Sequence, residues 1–275
     1  MKATSERLRS VDFVWDRMTA EASETVRAEP SLGGMLHRSI LHHETFEAAL
    51  SHRFAARLAT DQLDEQLLRE LADAAYEADP TLSQAARADV VATFERDPAC
   101  NQFTHPMLYF KGFSALQAYR IGHWLWEQGR RDLAYVIQAR VSELYNVDIH
   151  PAARIGRGIM IDHAHAVVIG ETAVVGDNVS MLHSVTLGGT GNEGEDRHPK
   201  IGDGVLIGAG AEVLGNIEIG HCSRIAAGSV VLHPVPPMKT VAGVPARIVG
   251  EAGCSEPSRM MNQLIGPELR PEPAD

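Results

Sequence analysis

The chain has 275 residues, of which 44% are hydrophobic and 22% are charged, and its formal net charge is −11. This composition is that of an ordinary globular protein, with enough residues for one large domain or two smaller ones. The acidic balance argues against nucleic acid as the main partner, because binding a polyanion requires clustered Lys and Arg.

The cysteines and the first residues indicate the cellular compartment. Cys100, Cys222 and Cys254 lie far apart and form no CxxC pair, so free thiols are expected, with no disulfide framework or zinc knuckle. The N-terminal segment is charged throughout and lacks the apolar core of a signal peptide. No apolar run reaches the roughly 18 residues of a membrane span. We therefore expect a cytoplasmic protein without membrane contact.

The first half of the sequence has the apolar spacing of amphipathic helices. One of them stops before Pro80, and another ends at Gly129, a typical C-cap. Residues 95–113 contain two prolines and are predicted to form an irregular loop of functional interest. The predicted helices cover residues 38–60, 63–79, 114–129 and 130–146.

Between about residues 146 and 250 an aliphatic residue returns at every sixth position, often followed by Gly. Neither the period of an α-helix nor that of a β-strand explains this spacing. A parallel β-helix does, because each hexapeptide forms one side of a triangular prism and roughly eighteen residues complete a coil. Prisms of this kind are usually left-handed. The alternative, a Gly-rich sandwich of short strands, would not require the repeat to stay in register. The members of the hexapeptide repeat are Ile169, Val175, Met181, Leu187, Ile201, Ile207, Val213, Ile219, Ile225 and Val231.

The sequence therefore predicts an α + β protein in three parts. Residues 1–145 form an all-α helical domain, and residues 146–250 form a left-handed parallel β-helix. Residues 251–275 contain four prolines and little apolar periodicity, which predicts a flexible C-terminal tail.

The repeat is interrupted twice. The next member after Ile161 is Ile169, eight residues later instead of six. The two extra residues fall in "IDHAHAVVIG". The second interruption, between Leu187 and Ile201, contains the polar segment "GGTGNEGEDRHPK", which must leave the prism as a loop. Both interruptions carry His beside charged residues, so both are candidate parts of a functional site.

Several segments resemble the serine O-acetyltransferases, a family of hexapeptide-repeat acyltransferases. They lie in both predicted domains, between about residues 80 and 250. The segments are "FKGFSALQAYRIGHWLWEQGRRDLA", "VDIHPAARIGRGIMIDHA", "SVTLGGTG", "DRHPKIGDGVLIGAGAEVLGNIEIG" and "AGVPARIVG". The resemblance implies transfer of an acetyl group from acetyl-CoA to the hydroxyl of L-serine, a step of cysteine biosynthesis.

This reaction needs a general base, because a neutral alcohol attacks a thioester poorly. By the resemblance the base is His163 of "IDHA", and Asp148 of "VDIHP" orients its imidazole. Their separation of fifteen residues is close to one coil, so the two side chains are expected to meet. The resemblance implies direct transfer of the acetyl group to serine. No covalent acyl-enzyme is needed, and the three cysteines show no nucleophile motif.

The resemblance also implies residues that bind the substrates. Asp97 and Asp162 would hold the ammonium group of serine, while Arg197 and His198 would hold its carboxylate. His198 would in addition support the oxyanion. Acetyl-CoA would lie along the prism, next to the backbone of Gly189, Thr190, Ala209 and Ala227. No metal is expected.

Two features depart from the family pattern. His165-Ala166 stands where the family commonly has Thr-Gly, and with a shift of two residues His183 occupies the same prism position as His163. The site is therefore expected to be rich in His. Family members that dock onto O-acetylserine sulfhydrylase end in Ile, whereas this sequence ends "EPAD", so that partnership is not supported.

Three alternatives remain open from the sequence. The same prism could acetylate a different acceptor, such as a sugar or another amine. His163, His165, His183 and His198 could bind zinc, as in prism-type carbonic anhydrases. A non-catalytic scaffold would have no need for the set of Asp148, His163 and Arg197. For the enzyme, the resemblance implies a homotrimer or a dimer of trimers, with active sites between subunits.

Overall fold

A computed structural model describes residues 12–191 and 194–264 of the chain, and it consists of a helical part followed by a left-handed parallel β-helix. A 3₁₀ turn (Pro30–Leu32) and a π-helical turn (His37–Leu41) interrupt the first helices. The helices are α1 (Phe13–Ala28), α2 (Gly33–Leu36), α3 (Phe46–Leu58), α4 (Glu65–Ala78), α5 (Pro80–Arg96), α6 (Thr104–Tyr109), α7 (Lys111–Glu127), α8 (Arg131–Tyr145) and α9 (Pro257–Met260).

Side-chain caps define where several helices begin. Asp12, Thr45, Asp64 and Asp79 each accept a hydrogen bond from a backbone N–H in the first turn of the helix that follows. The cap at Thr45 also corrects the sequence prediction, because the single helix expected over residues 38–60 is divided there. Apolar periodicity does not detect this division, since side chains on both sides of it are buried in the same core.

The region predicted to be irregular, residues 95–113, is partly helical. It contains α6 and the first turn of α7. Pro106 lies in the first turn of α6, where the missing N–H of proline has no helical partner in any case. The prediction for Gly129 is confirmed, because the residue follows α7 and has φ +74°.

The hexapeptide repeat forms short parallel strands. The strands are β1 (Val147–Ile149), β2 (Arg154–Ile155), β3 (Met160–Ile161), β4 (Val167–Ile169), β5 (Val174–Val175), β6 (Ser180–Met181), β7 (Thr186–Gly188), β8 (Lys200–Ile201), β9 (Leu206–Ile207), β10 (Glu212–Leu214), β11 (Glu218–Ile219), β12 (Arg224–Ile225), β13 (Val230–Val231), β14 (Lys239–Gly243) and β15 (Ala246–Glu251).

These strands make the three faces of a prism. The first face has the strand order β1-β4-β7-β10-β13, the second β11-β8-β5-β2, and the third β15-β14-β12-β9-β6-β3, in which only β15 is antiparallel. On the first face Ile149, Ile169, Leu187, Val213 and Val231 stack in register and are buried. The predicted prism and its inward-facing residues are therefore confirmed.

The helical part is fixed to the first coil by close contacts. Gly112 of α7 lies so near β3 that a Cβ atom there would be 2.1 Å from the carbonyl oxygen of Ile161. Further along α7, the Tyr119 hydroxyl donates to the carbonyl of Ala153, and His123 Nδ1 lies 2.7 Å from the carbonyl of Pro151. The end of α5 reaches the same coil, because Arg96 Nη1 donates to the carbonyl of Gly158 at 3.0 Å, just before β3.

The structure describes part of the predicted flexible tail. Residues 251–264 include the end of β15 and α9, which packs against α5, β6 and β9. Ser180 Oγ donates to the carbonyl oxygen of Ser258, which is buried. The last eleven residues of the predicted tail, 265–275, lie outside the described part of the chain.

Candidate active site

A cavity of about 260 Å³ lies between the end of α5, the start of α7 and the turn after β3. Three of the residues predicted to act in catalysis or substrate binding line it, namely Asp97, Asp162 and His163. The other lining residues are Thr93, Ala99, Phe110, Lys111, Gly112, Phe113, Met160 and Ile161. The cavity therefore joins a helical-domain carboxylate to a carboxylate and an imidazole of the prism.

The two carboxylates create a local negative charge. Burial raises the pKa of Asp162, and the nearby Asp97 carboxylate raises it further, while the His163 imidazole opposes the change. Asp97 caps the end of α5, where its Oδ1 atom accepts a hydrogen bond from the Ala99 N–H at 2.8 Å. Carboxylates held close together at one side of a cavity are suited to bind an ammonium group.

The imidazole of His163 projects from an unusual turn. His163, Ala164 and Ala166 all have φ between +54° and +57°, a conformation that non-glycine residues rarely adopt. The turn holds the two extra residues of the first interruption and stands outside the prism. His163 consequently has a side chain that is 72% exposed, and its Nε2 atom is 3.7 Å from Asp162 Oδ2.

Asp148 has a different partner from the one predicted. It lies on β1 with its side chain directed away from the core, and its Oδ1 accepts a hydrogen bond from Gln138 Nε2 of α8 at 2.6 Å. Within the described residues of one chain, no hydrogen bond or ion pair joins Asp148 to His163. The expectation that their sequence separation brings them together is therefore not met in the single chain.

Arg197 and His198 are held at the base of the polar loop. Their backbone N–H groups both donate to Thr172 Oγ1, at 3.0 and 3.1 Å, and Arg197 Nη2 lies 2.6 Å from Glu171 Oε2. This ion pair lowers the pKa of Glu171. The Arg197 side chain is half-buried, so its guanidinium is fixed and still accessible.

The ring of His198 is oriented by the same coil. The residue is 7% exposed, and its Nδ1 atom accepts from the Thr172 N–H at 3.2 Å and lies 2.9 Å from Thr172 Oγ1. An acceptor role at Nδ1 leaves the proton of the neutral ring on Nε2. Burial and the adjacent Arg197 cation lower the pKa of His198, which favours this neutral form. Gly170 is required here, because a Cβ atom would be 2.0 Å from the ring.

The two groups of residues lie at opposite edges of the first prism face. His163 is in the turn that precedes β4, whereas Arg197 and His198 contact the turn that follows it. The three residues of β4 alone span about 10 Å. One chain therefore has the predicted base and the predicted ammonium site at one edge, and the predicted carboxylate site at the other.

The predicted coenzyme contacts are divided in the same way. Ala209 and Ala227 follow β9 and β12 on the edge that carries His163, because Ile161, Met181, Ile207 and Ile225 pair in register. Gly189 and Thr190 begin the polar loop on the opposite edge, where Gly189 lies beside Arg197.

The four histidines of the zinc alternative do not come together in one chain. The rings of His163 and His183 meet edge to face with centroids 5.9 Å apart, but His198 lies on the other edge. Within residues 12–191 and 194–264, no three His, Cys, Asp or Glu side chains are arranged so that they could hold a metal ion. No helix of this part of the chain is long and apolar enough to cross a bilayer.

Sequence reasoning missed the residues that hold the predicted ones in position. Glu171 and Thr172 fix Arg197 and His198 across 25 or 26 residues, and Gln138 binds Asp148 from a different domain. Lys111 lines the cavity, but its Nζ atom is 3.1 Å from the carbonyl of Tyr145. No local pattern marks these four residues, since their partners are brought near only by tertiary packing. The coils do so for Glu171 and Thr172, the domain junction for Gln138, and the packing of α7 against α8 for Lys111.

A left-handed prism of hexapeptides with an accessible imidazole on one edge is typical of a hexapeptide-repeat transferase. The family profile "Bacterial transferase hexapeptide (six repeats)" matches residues 198–233. The profile "Serine acetyltransferase, N-terminal" matches residues 14–118. A serine acetyltransferase of Salmonella typhimurium is 54% identical over 253 residues, which cover 92% of this chain and 93% of the relative. The chain belongs to the serine acetyltransferase family, as its motifs predict.

Solved structures agree with this assignment. A serine acetyltransferase from Vibrio cholerae has a TM-score of 0.91 at 54% identity, covering 92% of this chain and 98% of the other. One from Brucella abortus in complex with coenzyme A has a TM-score of 0.87 at 55% identity, with 89% and 98% covered. A soybean serine acetyltransferase complexed with serine has a TM-score of 0.84 at 53% identity, with 86% and 98% covered.

Proposed function

We propose that this protein transfers the acetyl group of acetyl-CoA to the hydroxyl of L-serine, and that the residues named above carry out the reaction. The observation that supports this most directly is the cavity in which Asp97 and Asp162 face the same space as His163. An amino acid that binds by its ammonium group to the two carboxylates would present its side chain near the imidazole. The relatives that hold serine and coenzyme A support the same pair of substrates.

His163 acts as the general base in this proposal. It takes the proton of the serine hydroxyl while the oxygen bonds to the thioester carbonyl carbon, which gives a tetrahedral oxyanion. When the carbon–sulfur bond breaks, the proton passes from the imidazolium to the leaving thiolate. O-acetylserine and CoA are released, and His163 returns to its neutral form.

Asp148 has the role of orienting His163, as the family resemblance implies. In the single chain Gln138 occupies Asp148 Oδ1, while the remaining oxygen makes no hydrogen bond to the described residues. Orientation of the imidazole therefore requires either a rotation of the exposed His163 side chain or a contact from a neighbouring subunit.

Arg197 and His198 bind the serine carboxylate from a neighbouring subunit. Their location supports this assignment, since they lie across a prism face from the His163 of their own chain. A trimer in which each prism presents one edge to the next would bring the two halves together. The family resemblance further implies that helical domains pair two trimers into a hexamer.

Acetyl-CoA lies along the edge that carries His163, Ala209 and Ala227. Its pantetheine arm runs beside the backbone of the two alanines, and Gly189 and Thr190 approach it from the polar loop of the adjacent subunit. No metal takes part in this mechanism. The cytoplasmic location stays a prediction. The C-terminal segment on which a contact with the sulfhydrylase would depend lies outside the described residues.

The decisive experiment follows CoA release from acetyl-CoA with L-serine, with homoserine and with a galactoside, each with and without EDTA. We expect turnover with L-serine that exceeds the other acceptors and is unchanged by the chelator. Preference for another acceptor would overturn the assignment of serine, and loss of turnover in EDTA would support the metal-dependent alternative.

A further inference from the structure

His183 occupies the position directly below His163 on the same prism edge. It follows β6 as His163 follows β3, and the two strands pair through Ile161 and Met181. The rings meet edge to face, with centroids 5.9 Å apart and an interplanar angle of 76°. Continuing along this edge, the next two coils present Ala209 and Ala227.

The backbone around His183 is fixed on both sides. Its carbonyl accepts the Gly210 N–H from the following coil at 2.9 Å, and the Ser184 N–H donates to the carbonyl of His165 in the preceding coil at 2.6 Å. Ser184 has φ +58°, so the chain turns sharply after the histidine. The coils therefore hold the imidazole in a defined place on the edge.

One nitrogen of this ring lacks a partner in the protein. His183 Nδ1 is enclosed and makes no hydrogen bond to the described residues, whereas Nε2 is not among the enclosed unpartnered atoms. A buried N–H without a partner is rarer in proteins than a buried acceptor without one. The neutral ring is therefore expected to carry its proton on Nε2, on the side that is open to the site.

The reacting thioester must lie beside His183 if the proposed function is correct. Serine is bound next to His163, and the pantetheine arm is bound next to Ala209 and Ala227. The coil between them is that of His183, about 4.8 Å along the prism from His163. The His183 imidazole also lies near enough to Asp162, which lines the cavity, to oppose the rise of the pKa of that carboxyl.

We infer that His183 is a further catalytic residue, whose Nε2–H donates a hydrogen bond to the carbonyl oxygen of the acetyl group. This inference rests on the proposed acetyl transfer. As the serine oxygen bonds to the carbonyl carbon, the carbonyl π electrons move onto this oxygen, and the His183 N–H stabilises the charge without transferring its proton. When the carbon–sulfur bond breaks, the electrons return to the carbonyl, and the thiolate takes its proton from His163.

The test compares His183→Leu, which removes the donor, with His183→Gln, which retains an N–H donor. His183→Ala is a second donorless variant, to be used if the Leu side chain prevents folding. The control is His221→Leu, an exposed histidine on a different prism edge. For each variant, kcat, both KM values, the Kd of CoA and the melting temperature are measured.

Loss of one oxyanion donor lowers kcat by a factor on the order of 10². We expect this loss of kcat for His183→Leu and His183→Ala, a smaller loss for His183→Gln, and no change for His221→Leu. Because CoA has no acetyl carbonyl, its Kd should stay within about threefold of the wild-type value in all variants.

Wild-type turnover combined with turnover within about threefold in the donorless variants would overturn the role of His183 alone. An equal loss of kcat and of CoA affinity would also overturn it, because it would indicate a structural role. Failure of the wild-type protein to acetylate serine is a separate result, since it removes the proposed function itself.

Discussion

Asp89 of α5 and Arg120 of α7 form a buried ion pair at the junction of the helical part and the prism, with Oδ2 and Nη2 2.8 Å apart. The Asp89 side chain is fully buried and also accepts from Gln117 and from the Ile159 N–H of the first coil. Arg120 in turn donates to the carbonyl oxygens of Ile155 and Gly156. The pair therefore links two helices to the coil that carries the site.

Removing the cation should destabilise the protein strongly. Arg120→Met leaves a buried carboxylate without its counter-charge, which costs about 3–5 kcal/mol. Urea unfolding measures the loss. The matched control is Arg69→Met, whose ion pair with Asp73 is exposed and has atoms 3.8 Å apart, so that its effect should stay below about 1 kcal/mol. Similar losses in the two variants would contradict the importance of the buried pair.

A glycine on α7 provides a test of how the site is positioned. A Cβ atom at Gly112 would be 2.1 Å from the Ile161 carbonyl oxygen, so Gly112→Ala must push α7 away from β3 and the turn that bears His163. We expect a loss of about 1–3 kcal/mol in stability together with reduced turnover. Gly122→Ala is the control on the same helix, because its Cβ would be 3.7 Å from Ile137, an ordinary contact.

Alanine is favoured over glycine inside a helix by about 1 kcal/mol, so Gly122→Ala should be neutral or stabilising. Thermal unfolding and serine-dependent CoA release measure both variants. The close approach of α7 to the prism would be irrelevant to the site if Gly112→Ala kept its full stability and turnover.

The prism could be predicted from the sequence because its rule is local. Each inward residue, such as Met181 or Ile207, is buried by the residues at the equivalent position in the coils above and below. The sequence repeat is therefore enough to predict the fold. The two interruptions predicted the locations of His163 and Arg197 for the same reason. A residue that cannot fit the repeat must leave the prism.

The contacts of these residues could not be predicted. The Arg197 ion pair with Glu171 depends on which coil lies above the polar loop, and the bond from Gln138 to Asp148 depends on how α8 leads into β1. The expectation that Asp148 meets His163 is based on their separation in sequence and does not consider where each side chain points. Asp148 lies on a face of the prism, whereas His163 lies in a turn at its edge.

The raised pKa of Asp162 has consequences for both binding and stability. Burial and the Asp97 charge raise it above the ordinary value of 3.8, so Asp162 becomes protonated at a higher pH than an exposed aspartate. In the proposed mechanism, the ammonium group of serine binds the charged form of Asp162. The KM for serine should therefore rise as pH falls through the raised pKa, while the KM for acetyl-CoA changes less.

Ionisation of Asp162 favours serine binding but has the opposite effect on folding stability. A carboxyl whose pKa is higher in the folded than in the unfolded state binds more protons when folded, so ionisation at neutral pH destabilises the fold and acid relieves this cost. Asp162→Asn should hence raise the melting temperature at pH 7 while increasing the KM for serine. A lower melting temperature would contradict this reading of the Asp97–Asp162 pair. Asp97→Ala should likewise raise the KM for serine more than that for acetyl-CoA.

Loss of the base should affect the chemical step. His163→Ala is expected to lower kcat by a factor on the order of 10² to 10⁴ with little change in either KM. His165→Ala is the neighbouring control, because this side chain is also exposed in the same turn. Near-normal turnover of His163→Ala would remove it as the base.

The role of Asp148 is tested by making Asp148→Asn both in the wild-type chain and in the His163→Ala variant. If Asp148 acts only by orienting His163, then Asp148→Asn lowers kcat in the wild-type chain and causes no further loss in His163→Ala. An additional loss in the double variant would assign Asp148 an independent function.

The two edges of the prism make a prediction about mixed oligomers. If each site takes His163 from one subunit and Arg197 from the next, the inactive variants His163→Ala and Arg197→Ala should restore each other when refolded together. In an equal mixture about a quarter of the sites would receive both intact residues. Light scattering first establishes that the protein is oligomeric, and CoA release at low serine concentration then measures the recovered activity.

As a control, wild-type chains are mixed equally with chains that carry both substitutions, His163→Ala and Arg197→Ala. Shared sites retain about a quarter of wild-type activity, whereas sites within one chain retain about a half. A mixture of the single variants no more active than either parent, with a half retained in the control, would place both residues in the site of the same chain.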